Sequence, residues 1–140
     1  MKKEFEIISQ LIENNKRVLD VGCGDGTLMK FLKDNKNVDT RGLEISKNKV
    51  QICISKGLSV IEGNGENDLR QFPNQSFDYV ILSQTLQAFY NPEKVIEDLL
   101  KVANKAIVTI PNFGFWKVRL HLLLKGTMPV TKNLPNEWYN

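Results

Sequence analysis

A glycine-rich run next to an acidic residue is the segment of this chain with the clearest capacity for chemistry. Residues 18–27 read V-L-D-V-G-C-G-D-G-T, so three glycines at alternate positions follow an apolar run that contains Asp20. Glycine lets the backbone turn tightly and lets a ligand approach the main chain without meeting a Cβ atom. The spacing is G-x-G-x-G, and Thr27 stands where the dinucleotide fingerprint has its third small residue. The segment therefore predicts a ligand-binding loop of a different kind.

The acid that precedes the glycines indicates the class of ligand. A carboxylate attracts a positively charged group and repels the pyrophosphate of a dinucleotide. S-adenosylmethionine (SAM) carries an α-ammonium and a sulfonium group and no phosphate, so the loop predicts SAM, or its demethylated product S-adenosylhomocysteine. Asp20 can also accept hydrogen bonds from loop amides and hold the turn, and the two roles are compatible. We interpret Asp25 as an exposed loop residue that can cap the next helix.

A second acidic residue fits the same ligand. Glu44 lies 18 residues beyond Gly26, at the end of the next predicted strand. An acid at this distance reaches the ribose of an adenosine ligand, and a carboxylate can accept from both hydroxyl groups of a cis-diol. The alternative for Glu44 is an exposed acid at a strand end.

Alternating apolar runs and helical patterns predict the elements that position these residues. We expect strands over residues 17–21, 40–45, 58–61, 77–82 and 106–110, the last stopped by Pro111, and helices from the N-terminus to about residues 14–15, over 27–34, from the N-cap Ser46 to Gly57, and from Pro92 to 102. This alternation predicts an α/β fold with a doubly wound parallel sheet, whose strand-end loops meet at one edge. Leucines at residues 120, 123 and 124 predict a further helix, with Lys117, His121 and Lys125 as its polar stripe.

Composition restricts the class of protein. The 140 residues, 41% of them hydrophobic and 25% charged, predict a single globular domain over residues 1–140. No apolar run approaches the ~20 residues of a membrane span, and no apolar signal segment follows the first residues, so we expect a cytoplasmic protein without a membrane association. Cys23 and Cys53 lie too far apart for a metal or redox motif. Residues 105–140 hold five cations against one acid, a density too sparse to favour nucleic-acid binding.

Residues 20–26 together with Glu44 resemble the ligand-binding segments of the class I SAM-dependent methyltransferases, whose fold is Rossmann-like. In that family an Asp after the third strand accepts from the adenine amino group. The matching stretch here is Gly63-Asn64, so the resemblance implies Asn64 in that role, with Glu62 or Glu66 as alternatives. The cofactor-binding residues that it implies are Asp20, Gly22, Cys23, Gly24, Gly26, Glu44, Ile45, Asn64, Gly65, Ser83 and Gln84.

Three longer segments, residues 76–88, 110–120 and 125–132, are similar to the MetW family of methionine-biosynthesis proteins. The resemblance extends from Arg17 to the end of the chain. It implies a role in methionine biosynthesis together with homoserine O-acyltransferase. That family and its fold usually continue past residues 138–139 with two further strands, one of them antiparallel. We therefore expect the C-terminal strands of the sheet to be missing from this chain.

Two classes of function stay open. The chain is either a methyltransferase for a small acceptor, bound by residues 83–87 and the aromatic residues Phe113, Phe115 and Trp116, or a SAM-binding module that acts through a partner. The resemblance favours the second. No catalytic residue is assigned, because residues 83–87 are neutral hydrogen-bonding groups that orient ligands and serve poorly as bases. His121, the one histidine of the chain, is interpreted as a solvated helix residue.

Overall fold

The computed structural model describes residues 2–83, 89–112 and 117–124. The elements are α1 (Lys3–Leu11), β1 (Arg17–Val21), α2 (Thr27–Lys36), β2 (Asp39–Glu44), α3 (Lys47–Ser55), β3 (Val60–Glu62), a 3₁₀ turn (Leu69–Gln71), β4 (Phe77–Ser83), α4 (Pro92–Val102), β5 (Ala103–Asn112) and β6 (Lys117–Leu124). The predicted strand over residues 17–21 is confirmed to the residue, and α1 ends earlier than predicted.

The described strands form one sheet in the order β3-β2-β1-β4-β5-β6. β1 to β5 are parallel, and β6 runs antiparallel to β5. The chain moves outward from β1 through β2 to β3, then returns to the other side of β1 with β4. Open α/β sheets bind ligands at this reversal, beyond the carboxyl ends of the two strands that flank it. The predicted doubly wound α/β fold is confirmed.

Apolar side chains cover both faces of the sheet. On one face, Ile8 of α1, Ile12 directly after it, and Leu28 and Leu32 of α2 pack with Ile81 and with other residues of β1, β4 and β5. On the other face, the apolar residues of α4 and the 3₁₀ turn pack against alternate residues of the same strands. Because successive side chains of a strand point to opposite faces, the residues beside Ile81 in the ladder share the face covered by α1 and α2.

Two helix starts follow from local chemistry. The Ser46 hydroxyl accepts a hydrogen bond from the amide of Lys49 at 3.4 Å, which confirms it as the N-cap of α3. α4 begins at Pro92, where the missing amide hydrogen costs no helical hydrogen bond, and Asn91 caps it by accepting from the Lys94 amide.

Two expectations about the last elements are wrong. β5 does not stop at Pro111 but continues to Asn112, because its antiparallel ladder with β6 extends through Pro111 to the pair of Asn112 with Lys117. Residues 117–124 form the antiparallel strand β6 and not a helix, so His121 lies on a strand. The sequence K-V-R-L-H-L alternates polar and apolar residues, and this period of two outweighed the leucine spacing. The sheet therefore includes an antiparallel strand within residues 117–124, whereas the two further strands of the family are expected past residues 138–139.

Candidate functional site

The glycine loop leaves β1 through three residues in the left-handed region. Gly22, Gly24 and Gly26 have φ angles of 73°, 61° and 83°, which strain any residue with a Cβ atom. The amides of Gly22 and Cys23 both donate to the carbonyl of Leu43, at 2.7 and 3.2 Å. The loop is thereby attached to the end of β2, one strand away from its origin.

Glu44 joins the glycine loop to the start of α3. Its side chain is buried, with 6% of its surface exposed. Oε1 accepts from the Gly24 amide at 2.9 Å, and Oε2 accepts from the Ser46 amide at 2.8 Å. An ionised carboxylate has about four acceptor positions, so two remain for a ligand. Glu44 is thus a structural acceptor that orders the loop and retains the capacity to bind hydroxyl groups.

Small residues behind the loop let it lie close to the sheet. A Cβ atom at Gly42 would approach the sulfur atoms of Cys23 and Met29 to 2.8 Å. The Cys53 thiol donates to the carbonyl of Gly24 at 3.2 Å. Burial raises the pKa of Cys23 and of Cys53, so both thiols stay protonated and serve in packing. In the described ranges, no three His, Cys, Asp or Glu residues are grouped to hold a metal ion.

Asp20 lies beneath the loop on the face covered by α1 and α2. Its side chain is 3% exposed, and no described residue donates a hydrogen bond to its carboxyl group. Burial, followed by the negative charges of Glu4 and Glu44, raises the pKa of Asp20 to about 7. The expectation that Asp20 holds the turn through loop amides is not met by the described contacts. Asp25 is exposed and accepts from the Thr27 hydroxyl and amide, which lowers its pKa and places it at the start of α2 as predicted.

The segment after β3 is held by its own acidic and amide side chains. The Asn64 side-chain oxygen accepts from the Glu66 amide at 2.7 Å, and the Asn64 amide donates to Asp68 at 2.6 Å. Glu66 in turn accepts from the Asn91 amide at 3.0 Å, which ties the segment to the start of α4. Asp68 was missed in the sequence because it lies four residues beyond the position at which an acid was expected.

Two further predicted residues are Ile45, which follows β2, and Gly65, which lies within this segment. Ile45, directly after Glu44, exposes 66% of its side chain at the edge of the sheet. Such an apolar group can cover one face of a flat aromatic base. A Cβ atom at Gly65 would lie 2.7 Å from Val21 and 3.3 Å from the ring of Phe89, so glycine there lets the segment approach both.

Hydroxyl groups and a carboxylate meet where the carboxyl end of β4 pairs with β5. Ser83 and Thr109 are paired in the ladder, and both hydroxyls donate to Oε1 of Glu4, Thr109 at 2.5 Å. Glu4 lies in the first turn of α1 and is 8% exposed. No motif pointed to Glu4 or Thr109, since neither belongs to the glycine loop or to a strand-end acid. Gln84 and the aromatic residues Phe113, Phe115 and Trp116 lie outside the described residues.

Register explains why these polar residues meet. Asp20 is opposite both Gly42 of β2 and Ile81 of β4, so Glu44 and Ser83 each lie two residues further along and on the same face. The structure therefore brings together Asp20, the glycine loop, Glu44 and Ser83 at the reversal of strand order, with Ile45, Asn64 and Gly65 along one side.

Among the helices that the structure describes, none has the length and apolar character that a membrane span requires.

Comparison with protein families gives one match along almost the full sequence. The model of "Methionine biosynthesis protein MetW" matches residues 2–140. The bifunctional methionine biosynthesis protein MetXA/MetW of Rhodopirellula baltica is 30% identical over 144 residues. That alignment covers 96% of this chain and 23% of the relative. A protein of unknown function from Methanocaldococcus jannaschii is 33% identical over 112 residues, and 78% of this chain spans 51% of its length.

Comparison with solved structures identifies the fold. A SAM-dependent methyltransferase from Archaeoglobus fulgidus has a TM-score of 0.66 at 18% identity, covering 78% of this chain and 54% of that structure. The plantazolicin methyltransferase BamL, solved in complex with a desmethyl analogue of plantazolicin and S-adenosylhomocysteine, has a TM-score of 0.59 at 23% identity, covering 73% of this chain and 40% of BamL. At these identities the likeness shows the class I methyltransferase fold.

Proposed function

Because the chain belongs to the MetW family of methionine biosynthesis proteins, we propose that it binds SAM between the glycine loop and the carboxyl ends of β1, β2 and β4. The observation that carries the proposal is the carboxylate of Glu44, which orders the loop through the Gly24 amide and retains acceptor positions for a ribose. The open space beside Gly24, where an added Cβ atom meets nothing described within 4 Å, is consistent with a ligand against the backbone.

Four of the predicted site residues have a defined part in this binding. Glu44 accepts from the ribose hydroxyls while keeping its bonds to the loop. The exposed side chain of Ile45 covers a face of the adenine, and Asn64, whose side-chain oxygen already accepts from the Glu66 amide, lies at its edge. Asp20, which lacks a donor among the described residues, receives the α-ammonium group. When bound, SAM supplies an activated methyl group on its sulfonium.

The biological role that we propose is in methionine biosynthesis, together with homoserine O-acyltransferase. The relative from Rhodopirellula baltica is named as a bifunctional MetXA/MetW protein, so its name assigns two methionine-biosynthesis functions to one chain. Proteins that are fused in one organism commonly act on the same process in another, and this supports a shared process here. The chain spans about a quarter to a half of the length of the relatives it matches. The proposed module acts through its partner, with SAM as a ligand that shifts a partner-bound state.

The alternative is methyl transfer to a small acceptor. It is favoured by Ser83 at the carboxyl end of β4 and by Thr109, its partner in β5, whose hydroxyls lie beside the proposed ammonium position. These neutral groups orient an acceptor, and a weak nucleophile additionally requires a base. The two functions differ in turnover, since a methyltransferase accumulates S-adenosylhomocysteine and a ligand-responsive module does not.

Calorimetric titration of the chain with SAM and with S-adenosylhomocysteine tests the proposed site. We expect micromolar binding, weakened at least tenfold in Glu44→Ala. The control is Glu97→Ala, which removes an exposed acid from α4 and is not among the predicted binding residues. Equal losses in both variants would show a general charge effect, and a folded chain that binds neither ligand would refute the proposal.

A second measurement separates the two functions. Homoserine O-acyltransferase activity is assayed with and without the chain, at zero and saturating SAM. An effect of the chain that depends on SAM and disappears in Glu44→Ala supports the partner role. Production of S-adenosylhomocysteine with a small-molecule acceptor, without an effect on the acyltransferase, supports the alternative.

A further inference from the structure

Glu4 brings a carboxylate from outside the sheet to the proposed ligand edge. It is in the first turn of α1, and 105 residues of sequence separate it from its hydrogen-bond donor Thr109. The hydroxyls of Ser83 and Thr109 both donate to Oε1, and the two hydroxyls lie 3.3 Å apart. Three elements thus fix the position of one acidic side chain that is 8% exposed. Burying a carboxylate is costly even where hydrogen bonds replace part of its hydration, so the placement of Glu4 at a ligand edge needs a reason.

The neighbourhood of Glu4 points to a cation. Glu4 is one of two acids whose negative charge disfavours ionisation of Asp20, the other being Glu44. Asp20 is 3% exposed as a residue, and its carboxyl group accepts no hydrogen bond from the described residues. A group that satisfies Asp20 must therefore donate hydrogen bonds and is stabilised further if it is positively charged.

We propose that Glu4 is a second carboxylate of the subsite that receives the α-ammonium group of the ligand, opposite Asp20 and held in place by Ser83 and Thr109. This deepens the proposed function and rests on it. An ammonium group has three donor hydrogens, so it can bond to Asp20 and to Glu4 at the same time. A sulfonium carries no donor hydrogen and cannot satisfy Asp20 in this way. Through Glu4, docking of α1 on the sheet becomes part of ligand binding.

The test compares three ligands that differ in the group concerned. SAM and S-adenosylhomocysteine both carry the α-ammonium, whereas 5′-methylthioadenosine has the adenosine and a thioether without the amino acid. Calorimetry is performed on the wild-type chain, Glu4→Gln, Glu4→Asp and Glu44→Ala. Glutamine keeps an oxygen that accepts from the two hydroxyls, and the control Glu6→Gln removes an exposed acid from the same helix. Urea unfolding of each variant verifies that it is folded.

We expect Glu4→Gln to weaken SAM and S-adenosylhomocysteine about tenfold or more and to leave 5′-methylthioadenosine unchanged. Glu4→Asp, which retains the charge, should recover part of the affinity, and Glu6→Gln should bind as the wild type does. Unchanged SAM affinity in Glu4→Gln, an equal loss for all three ligands, or a loss confined to SAM would each overturn the assignment of Glu4 to the ammonium.

A ligand-side measurement covers the case in which Glu4→Gln does not fold. The wild-type chain is titrated with S-adenosylhomocysteine and with its deaminated 2-oxo analogue, and a weakening of less than about tenfold by the missing amine would overturn the subsite. Failure of the proposed function gives a different result, because a wild-type chain without the SAM site binds neither SAM nor 5′-methylthioadenosine. That outcome overturns this inference together with its premise.

Discussion

Replacing Asp20 by asparagine is expected to stabilise the ligand-free protein at neutral and alkaline pH while weakening the binding of SAM. The side chain is 3% exposed and accepts no hydrogen bond from the described residues. Burial first, and then the charges of Glu4 and Glu44, raise its pKa from 3.8 to about 7. Asparagine has the same shape without the charge, and its amide can donate to the neighbouring carboxylates.

The size of the effect follows from the difference in proton binding between the folded and unfolded chain. Above about pH 4 the unfolded chain ionises Asp20, whereas the folded chain keeps the proton until about pH 7. A raised carboxyl pKa therefore means stability that is complete below pH 4 and declines as the pH rises to 7. The shift of about three units corresponds to at most ~4 kcal/mol. The asparagine variant does not titrate and avoids this decline.

Urea unfolding followed by circular dichroism at pH 4.5, 6 and 8 measures the difference in unfolding free energy. We expect little difference between wild type and Asp20→Asn at pH 4.5 and an advantage of about 2–4 kcal/mol for the variant at pH 8. Asp25→Asn is the control with the opposite sign, because hydrogen bonds from Thr27 lower the pKa of this exposed acid. A difference for Asp20→Asn that is independent of pH, or that favours the wild type at pH 8, would refute the reasoning.

Two glycine substitutions give further predictions. Gly24→Ala is expected to cost about 1 kcal/mol of unfolding free energy, because its φ is +61°, and to weaken SAM binding about tenfold by placing a methyl group beside the ligand. Gly57→Ala, with φ +79° and an equally open surrounding, should cost the same in urea unfolding with unchanged calorimetry, and equal affinities for the two variants would contradict the role of Gly24. Gly42→Ala should destabilise by about 1–3 kcal/mol in thermal or urea unfolding, since its Cβ atom would overlap the sulfurs of Cys23 and Met29, and an unchanged stability would contradict the tight packing behind the loop.

The sequence was sufficient for the elements that carry strong local signals. The apolar run before the glycines predicted both ends of β1 correctly, and Ser46 predicted the start of α3. Both predictions succeeded because a buried strand and an N-cap are each determined by a few adjacent residues. The geometry of the site followed from topology, since acids at the ends of adjacent parallel strands must meet at one edge. The ligand roles of these residues stay predictions.

The remaining features depend on contacts between distant parts of the chain. Glu4 reaches Thr109 across the fold, and no local pattern records such a pairing. Residues 117–124 carry both an alternating and a helical pattern. They form a strand because they pair with β5 in an antiparallel ladder, which the local pattern does not reveal. Pro111 was wrongly interpreted as a stop because the ladder that extends β5 to Asn112 is formed with β6, a strand later in the chain.

The reversal of strand order also has a kinetic consequence. β1 pairs with β2 across 22 residues, as in Arg17 with Asp39, and with β4 across 61 residues, as in Val18 with Tyr79. Closing the longer loop carries the larger entropic cost, so β1 with β2 should form before β4 docks. The Glu44–Gly24 bond belongs to the early pair, whereas Asp20, Ser83 and Glu4 come together only after docking. We therefore expect a ligand that contacts both halves to act mainly by slowing unfolding, because part of what it stabilises forms late in folding.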